Sequence, residues 1–276
     1  MSFLIYKTGK QFIDDNNEIF QKYPIETCFF KLNALNMPDM SNGFAVKVID
    51  GDNYVIALRF KEYPMVIFAN NDSLLNNLAK ELLQNKFSFM RILGPDTTVN
   101  AFLSIYEQLA GGTHKIIHSM DIMKCDHINE NNTDISMVEF ANEHDINEIA
   151  EIVKNFEIEV GEPQSTMQCI IENVKNTIND FVLIRLDNKI VSLAKKTRDD
   201  DKTCAISNVF TRTEYRGKGL SRKIMTFITN YILQSGKIPY LFVDKKNPIT
   251  NHLYASIGFK YLHPITEIMH ITNKSE

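Results

Sequence analysis

Val209-Phe210-Thr211-Arg212-Thr213-Glu214-Tyr215-Arg216-Gly217-Lys218-Gly219-Leu220-Ser221 is the stretch on which the reading of this chain turns. Its first residues are β-branched and aromatic, as a strand requires, and they run into a basic turn with two glycines. A helix must follow at once, because Leu220, Ile224, Phe227, Ile228 and Tyr231 recur at helical spacing on one face. A strand, a glycine turn and a helix in that order aim free backbone N–H groups and a helix dipole at one point, which suits a phosphate. The plain alternative is a surface turn whose glycines only shape the helix start. A P-loop does not fit, since Gly-x₄-Gly-Lys-Ser/Thr is not found.

Working outward, the region after the polar run Asp126–Asp134 has a regular order of elements. Ile135–Phe140 reads as a strand. A helix capped by Asp145 with Glu148 follows, and then one capped by Ser165 with Gln168. Strands Phe181–Leu186 and Ile190–Thr197 flank the turn pair Asp187-Asn188, and a third strand, Cys204–Thr211, reaches the glycine turn. After the periodic helix come strand Ile238–Val243 and a helix opened by Asn247-Pro248 and ended by Gly258, with closing strands at Phe259–Leu262 and Glu267–Ile271. Before the polar run, the sequence predicts helix around Phe12 to Phe20, and then a hairpin about Asp50-Gly51-Asp52-Asn53. Strand Met65–Phe68, a helix from Ser73, strand Phe89–Leu93 and a helix stopping at Gly111-Gly112 complete that half. The two halves share an order, so we expect a diverged internal duplication divided as 1–128 and 129–276; coincidence among common α+β orders is the alternative.

The C-terminal half resembles the GNAT acyl-CoA N-acyltransferase superfamily. Its coenzyme motif, Arg/Gln-x-x-Gly-x-Gly/Ala between strand and helix, reads here Arg216-Gly217-Lys218-Gly219-Leu220-Ser221. Downstream, Asn247, Asn251 and Tyr254 look like the family's Asn-x₃-Asn-x₂-Tyr helix, and Gly258-Phe259 like its strand entry. Ser221 departs from the usual Gly or Ala; it is small, and its hydroxyl could add a contact to a pyrophosphate. The resemblance implies a mixed α+β sheet of GNAT fold in the second domain, in tandem with a degenerate GNAT-like first domain. It further implies acetyl-CoA as donor substrate and Val209, Phe210 and Thr211 as a free edge for the pantetheine arm. Arg216, Gly217, Lys218, Gly219, Leu220 and Ser221 would hold the pyrophosphate, and Asn247 and Asn251 would both cap the helix and contact coenzyme. Tyr254 takes the role of general acid toward the departing thiolate; a buried aromatic is the alternative for a residue flanked by Leu253 and Ile257.

The acceptor side is less specific. Glu157, Glu159 and Glu162 fall between two helices where substrate-facing residues of this family sit, and each reads first as solvated surface. Ser207 and Asn208 lie on the strand leading into the site. In the first half the counterpart of the glycine turn is Ala69-Asn70-Asn71-Asp72-Ser73, with neither glycine nor base. There Asp72 or Ser73 would satisfy the helix N–H groups, so only the second half is expected to bind coenzyme. The first half is left to packing, to one wall of an acceptor cleft, or to a dimer surface.

Composition narrows the classes. With 44% hydrophobic and 23% charged residues over 276, the chain is a folded globular one. A net charge of −4 leaves only a local basic site, at Arg212, Arg216, Lys218, Arg222 and Lys223, and argues against nucleic acid. No apolar run nears the ~18 residues of a membrane span. The N-terminus lacks a signal-peptide pattern, and Cys28, Cys125, Cys169 and Cys204 form no Cys-x-x-Cys pair. The expectation is therefore a cytoplasmic, metal-free N-acetyltransferase acting on a small-molecule or peptide amine, with a homodimer compatible. A non-catalytic acyl-CoA-binding module is the rival; it could dispense with Tyr254.

Overall fold

The computed structural model describes residues 1–129, 133–161 and 165–272, and divides into two compact units. The first is Met1–Ile122 with His263–Glu276, and the second is Met123–Leu262. These units depart from the expected 1–128 and 129–276 in one important respect: from His263 on, the last strand of the chain belongs to the first unit. Ile265 to Met269 pair antiparallel with Pro95 to Arg91, and the Arg91 guanidinium donates to the Glu267 carboxylate at 2.8 Å. The sequence predicts two closing strands, Phe259–Leu262 and Glu267–Ile271, on either side of Pro264. The structure instead carries one strand across it, Lys260–Ile271.

In the first unit β1 (Ser2–Ile5) precedes three short helices, α1 (Gly9–Asp15), α2 (Asn17–Lys22) and α3 (Cys28–Ala34). Strands β2 (Gly43–Asp50), β3 (Asn53–Phe60) and β4 (Met65–Ala69) follow, and then α4 (Leu75–Gln84), β5 (Arg91–Pro95), α5 (Asp96–Ala110) and β6 (Thr113–Lys124). Its strands lie in the order β1-β2-β3-β4-β5-β12-β6, where β12 is Lys260–Ile271. The period-two alternation of β2 and β3 builds a core on each face. Val46, Val55 and Ala57 pack with α4 and α5, while Ala45, Ile56 and Leu58 pack with Phe12, Phe20 and Phe30 of the short helices. The helical material expected from Phe12 to Phe20 is thus two helices, with buried Asn16 between them.

The second unit repeats that order. It runs β7 (Val138–Phe140), α6 (Ile146–Val160), α7 (Met167–Asn176), β8 (Phe181–Leu186), β9 (Lys189–Thr197), β10 (Thr203–Thr211), α8 (Leu220–Gln234), β11 (Ile238–Asp244) and α9 (Pro248–Ile257). The strand order is β7-β8-β9-β10-β11. Asp187 and Asn188 both have positive φ, 49° and 59°, as a tight hairpin turn between β8 and β9 demands. Helices α6 and α7 cover one face of this sheet, and α8 and α9 the other.

Two caps differ from expectation by a few residues. Asn142, not Asp145, caps the α6 end: it forms a reciprocal capping box with Asp145 around a 3-10 turn, Glu143–Asp145, that runs into the helix. Thr166, not Ser165, caps α7 by accepting from the Cys169 N–H. In each case a capping-competent residue lies one turn or one residue away, so composition alone does not choose between them.

Gly258 ends α9 at φ 130°. A Cβ there would stand 2.5 Å from the His127 carbonyl oxygen and 3.1 Å from the Asn129 amide nitrogen. The same segment is tied to the helix end by Asn129 N–H donating to Ile257 O at 2.8 Å. Gly258→Ala therefore combines backbone strain with a clash against main chain. We expect it to lower the urea-unfolding free energy by about 2–4 kcal/mol, whereas Gly236→Ala, with open space around it, should lose less.

Candidate active site

The geometry of the site starts with β10. Its N-terminal part is paired on both sides: with β9, and in parallel with β11 through Thr203↔Ile238, Cys204↔Pro239 and Ala205↔Tyr240. Beyond Ala205 the partnership with β11 ends, while that with β9 continues to Thr211↔Ser192. The residues Ile206 to Thr211 thus present main-chain groups toward a gap. A bulge lies within this stretch. Ser207 faces Lys195 and Phe210 faces Leu193, so Asn208 and Val209 together oppose one residue of β9. Asn208 takes the left-handed conformation, φ 50°, which asparagine tolerates better than most residues. The Ser207 hydroxyl donates to Asn208 Oδ1 at 3.1 Å.

The glycine turn follows. Gly217 and Gly219 have φ of 76° and 77°, and a Cβ on either would meet nothing within 4 Å. The glycines are therefore required by conformation, and the space above them is open for an approaching ligand. Gly219 is the N-cap of α8 and no side chain caps that helix. Its first-turn N–H groups have no intrahelical acceptor by construction, so an anion here would meet donors and a positive dipole end. The residues fit a diphosphate.

Three hydroxyls fix the turn to the strand. Ser192 Oγ donates to Phe210 O at 3.0 Å and lies 2.7 Å from Thr211 Oγ1, which lies 2.8 Å from Ser221 Oγ. Each hydroxyl has one proton, and that of Ser192 is spent on a carbonyl. Thr211 must then donate to Ser192, and Ser221 to Thr211. Ser221, expected to reach a pyrophosphate, instead directs its proton inward and binds the first turn of α8 to β10.

The five basic residues divide. Arg212 is structural, donating to Ile190 O and to Glu148. Lys223 pairs with Asp134 at 3.1 Å. Arg216 donates through Nε to Thr211 O at 2.9 Å, stacks over the Phe210 ring, and pairs with Glu159 at 2.6 Å. Lys218 lies over the Tyr215 ring. Lys218 and Arg222 have no carboxylate partner among the described residues.

Helix α9 brings the remaining expected residues to the same unit. Asn247 Oδ1 accepts from the Thr250 N–H at 3.3 Å, and Asn251 Nδ2 donates to Asn247 O at 3.1 Å. Both asparagines are engaged in building the helix start. Tyr254 is 6% exposed and packs on Phe259 within the α8–α9 core. Burial pushes its phenol up to about 12, and its hydroxyl has no hydrogen-bond partner among the described residues. His252, on the same helix, is exposed.

The acceptor-side carboxylates are mostly occupied. Glu157 is buried and accepts from the Ser165 N–H at 3.0 Å, which makes it a brace between α6 and α7. Glu159 is held by Arg216. Glu162 lies outside the described residues. The bulge at Asn208, the hydroxyl chain and the Glu159–Arg216 pair were not expected from sequence. Only the first had a local signal, in the Ser-Asn pair on an otherwise β-branched strand.

Comparison with known proteins bears on the family and the fold. The model of the acetyltransferase (GNAT) family matches residues 146–259. No curated protein sequence matches the chain well enough to count as a relative. Among solved structures, a GNAT-family acetyltransferase from Colwellia psychrerythraea aligns with a TM-score of 0.63 at 11% identity, over 99% of this chain and 100% of its own. A GCN5-related N-acetyltransferase from Sphaerobacter thermophilus aligns at 0.63 with 14% identity, over 98% and 96%. A tandem GNAT protein from the clavulanic acid biosynthesis pathway aligns at 0.57 with 9% identity, over 100% and 99%. At such identities these likenesses speak for the fold, and they span both halves. The chain carries a domain of the acetyltransferase (GNAT) family, matched over residues 146–259, preceded by an N-terminal half of GNAT-like fold.

Proposed function

We propose that this protein transfers an acetyl group from acetyl-CoA to a primary amine, by direct attack in a ternary complex formed in the second unit. The observation that carries the reading is the divergence of β10 from β11 immediately before an uncapped, glycine-shaped helix start. The free edge Ile206–Thr211 suits an extended pantetheine arm that takes the place of a neighbouring strand. The turn Arg216–Ser221 suits the diphosphate. The acceptor amine would attack the thioester carbonyl carbon, the C–S bond would break, and the proton lost by nitrogen would end on sulfur. Tyr254 is the residue to assist the thiolate. A phenol held neutral by burial, whose hydroxyl has no hydrogen-bond partner among the described residues, is free to donate to a bound ligand. That unspent hydroxyl favours an enzyme over a binding module. Neither Glu157 nor Glu159 is placed in this arrangement as the base for the amine, since each carboxylate already serves an internal partner. The acceptor is a small-molecule or peptide amine, and no helix among the described residues is long and apolar enough to cross a membrane.

The first unit should bind no coenzyme, and two features support this. Its equivalent turn is closed by side chains: Asn71 Oδ1 accepts from the Ser73 N–H at 2.8 Å, and Asn70 bridges Tyr54 N and Asp52 O. Asn71, rather than Asp72 or Ser73, is thus the cap. In addition, β4 and β5 approach closely at Gly94, where a Cβ would stand 2.4 Å from Ile67 O. Calorimetric titration with coenzyme A should give a stoichiometry near one per chain, and Gly219→Glu, which sets a strained side chain and a carboxylate at the turn, should abolish it. A stoichiometry near two, or full binding by the variant, would refute this assignment.

Tyr254→Phe should lower kcat for acetyl transfer about ten- to a hundredfold, the value of one hydrogen bond to a charged acceptor, with little change in KM for acetyl-CoA. Thiol release with an amine panel at saturating donor measures it. Unchanged turnover would remove Tyr254 from the mechanism.

A further inference from the structure

Glu159 sits in the last turn of α6, where a carboxylate is at odds with the negative end of the helix dipole and no basic residue of that turn offsets it. Its compensation comes from outside the helix, from Arg216 of the glycine turn at 2.6 Å. Both side chains are about half exposed, at 50% and 43%, so the pair is open to competition from solvent and solute. The guanidinium itself is anchored independently of Glu159: Nε donates to Thr211 O and the plane lies over Phe210. Arg216 is therefore a fixed cation with two permanent contacts and one exchangeable one. Glu157, two residues away, is different in kind, since its carboxylate is buried and bound to the Ser165 N–H.

We propose that the Glu159 carboxylate is an internal stand-in for the donor's diphosphate, an autoinhibitory contact that coenzyme must displace from Arg216. The inference rests on the reading of Arg216–Ser221 as the diphosphate site. Two anions then compete for one guanidinium. Displacement leaves Glu159 uncompensated at the helix end, so donor binding loosens the last turn of α6. Ile158 and Val160, both large, apolar and exposed, lie on that turn beside Glu159. Binding of donor would thus be felt at the α6 terminus.

The test is calorimetric titration of coenzyme A into the wild-type chain and into Glu159→Gln, which keeps the shape and removes the charge. The variant should bind about two- to fivefold more tightly, the range of an exposed ion pair. The difference should shrink at 0.5 M salt. Hydrogen exchange gives a second readout. Amides 157–161 should lose protection on adding coenzyme A to the wild type, and should change little on adding it to Glu159→Gln, which has no carboxylate to leave uncompensated. Glu159→Ala should behave as the Gln variant if charge is what matters. Equal or weaker binding by Glu159→Gln, or amides 157–161 that gain protection with coenzyme A in the wild type, would overturn the inference while leaving the donor site intact. Absence of coenzyme A binding in both proteins would overturn the donor site itself and this inference with it.

Discussion

The divided allegiance of β10 is the constraint from which the site follows. A strand whose two edges are both paired has no backbone to give, and one with no neighbours has nothing to hold it. β10 solves this by keeping β9 along its whole length while sharing only Thr203–Ala205 with β11. The bulge at Asn208 turns the last residues of the strand, and the hydroxyl chain Ser192–Thr211–Ser221 fastens the end of the strand to the first turn of α8. Without that fastening, a glycine turn with open space around both glycines would have little to define its shape. The conformational freedom that would let ligand oxygens approach the backbone is thus bounded on the protein side by three buried or half-buried hydroxyls.

The two units show how the same order of elements is made receptive in one case and closed in the other. Both have a parallel pair of strands, β4 with β5 and β10 with β11, and both follow the first of these with a turn and a helix. In the first unit asparagine side chains fill the hydrogen-bonding needs of the turn, and Gly94 lets the strands stay close. In the second, glycines shape the turn and no side chain caps the helix that follows. The difference is chemical rather than topological: an acceptor supplied internally removes the reason for an external anion to bind.

Much of this was legible in the sequence, and what was not has identifiable causes. The apolar run through Tyr54, Ile56, Leu58 and Phe60 marked β3, which is buried on both faces, and the periodicity of α8 marked a helix with one buried face. The glycine turn and the Asn247-Pro248 helix start were readable because φ > 0 and capping need particular residues. Strand β6 gave no signal, since Thr113–Asp121 is exposed or half-buried throughout and its residues lack alternation. The return of the last strand to the first unit was hidden for a different reason. Pairing of Glu267 with Arg91 joins residues far apart in the chain, and no local pattern records which sheet a strand will join. Glu159 was visible as a carboxylate near the site, but its partner was not, because ion pairing depends on where the end of α6 lands.

The burial of Tyr254 sharpens what that residue can contribute to the proposed reaction. A phenol pushed up to about 12 faces a thiol of ordinary acidity near ~8.5, and moving its proton fully to the thiolate is uphill by about 5 kcal/mol. A hydrogen bond carries no such penalty. It is stronger where the surroundings are largely apolar, as they are for a 6% exposed side chain packed in the α8–α9 core. The proton that sulfur finally takes is already on the attacking nitrogen once it has added to the carbonyl. In the proposed reaction Tyr254 would therefore act as a fixed dipole toward the negative charge developing on sulfur, and the same burial that disqualifies it as a strong acid would make that dipole effective.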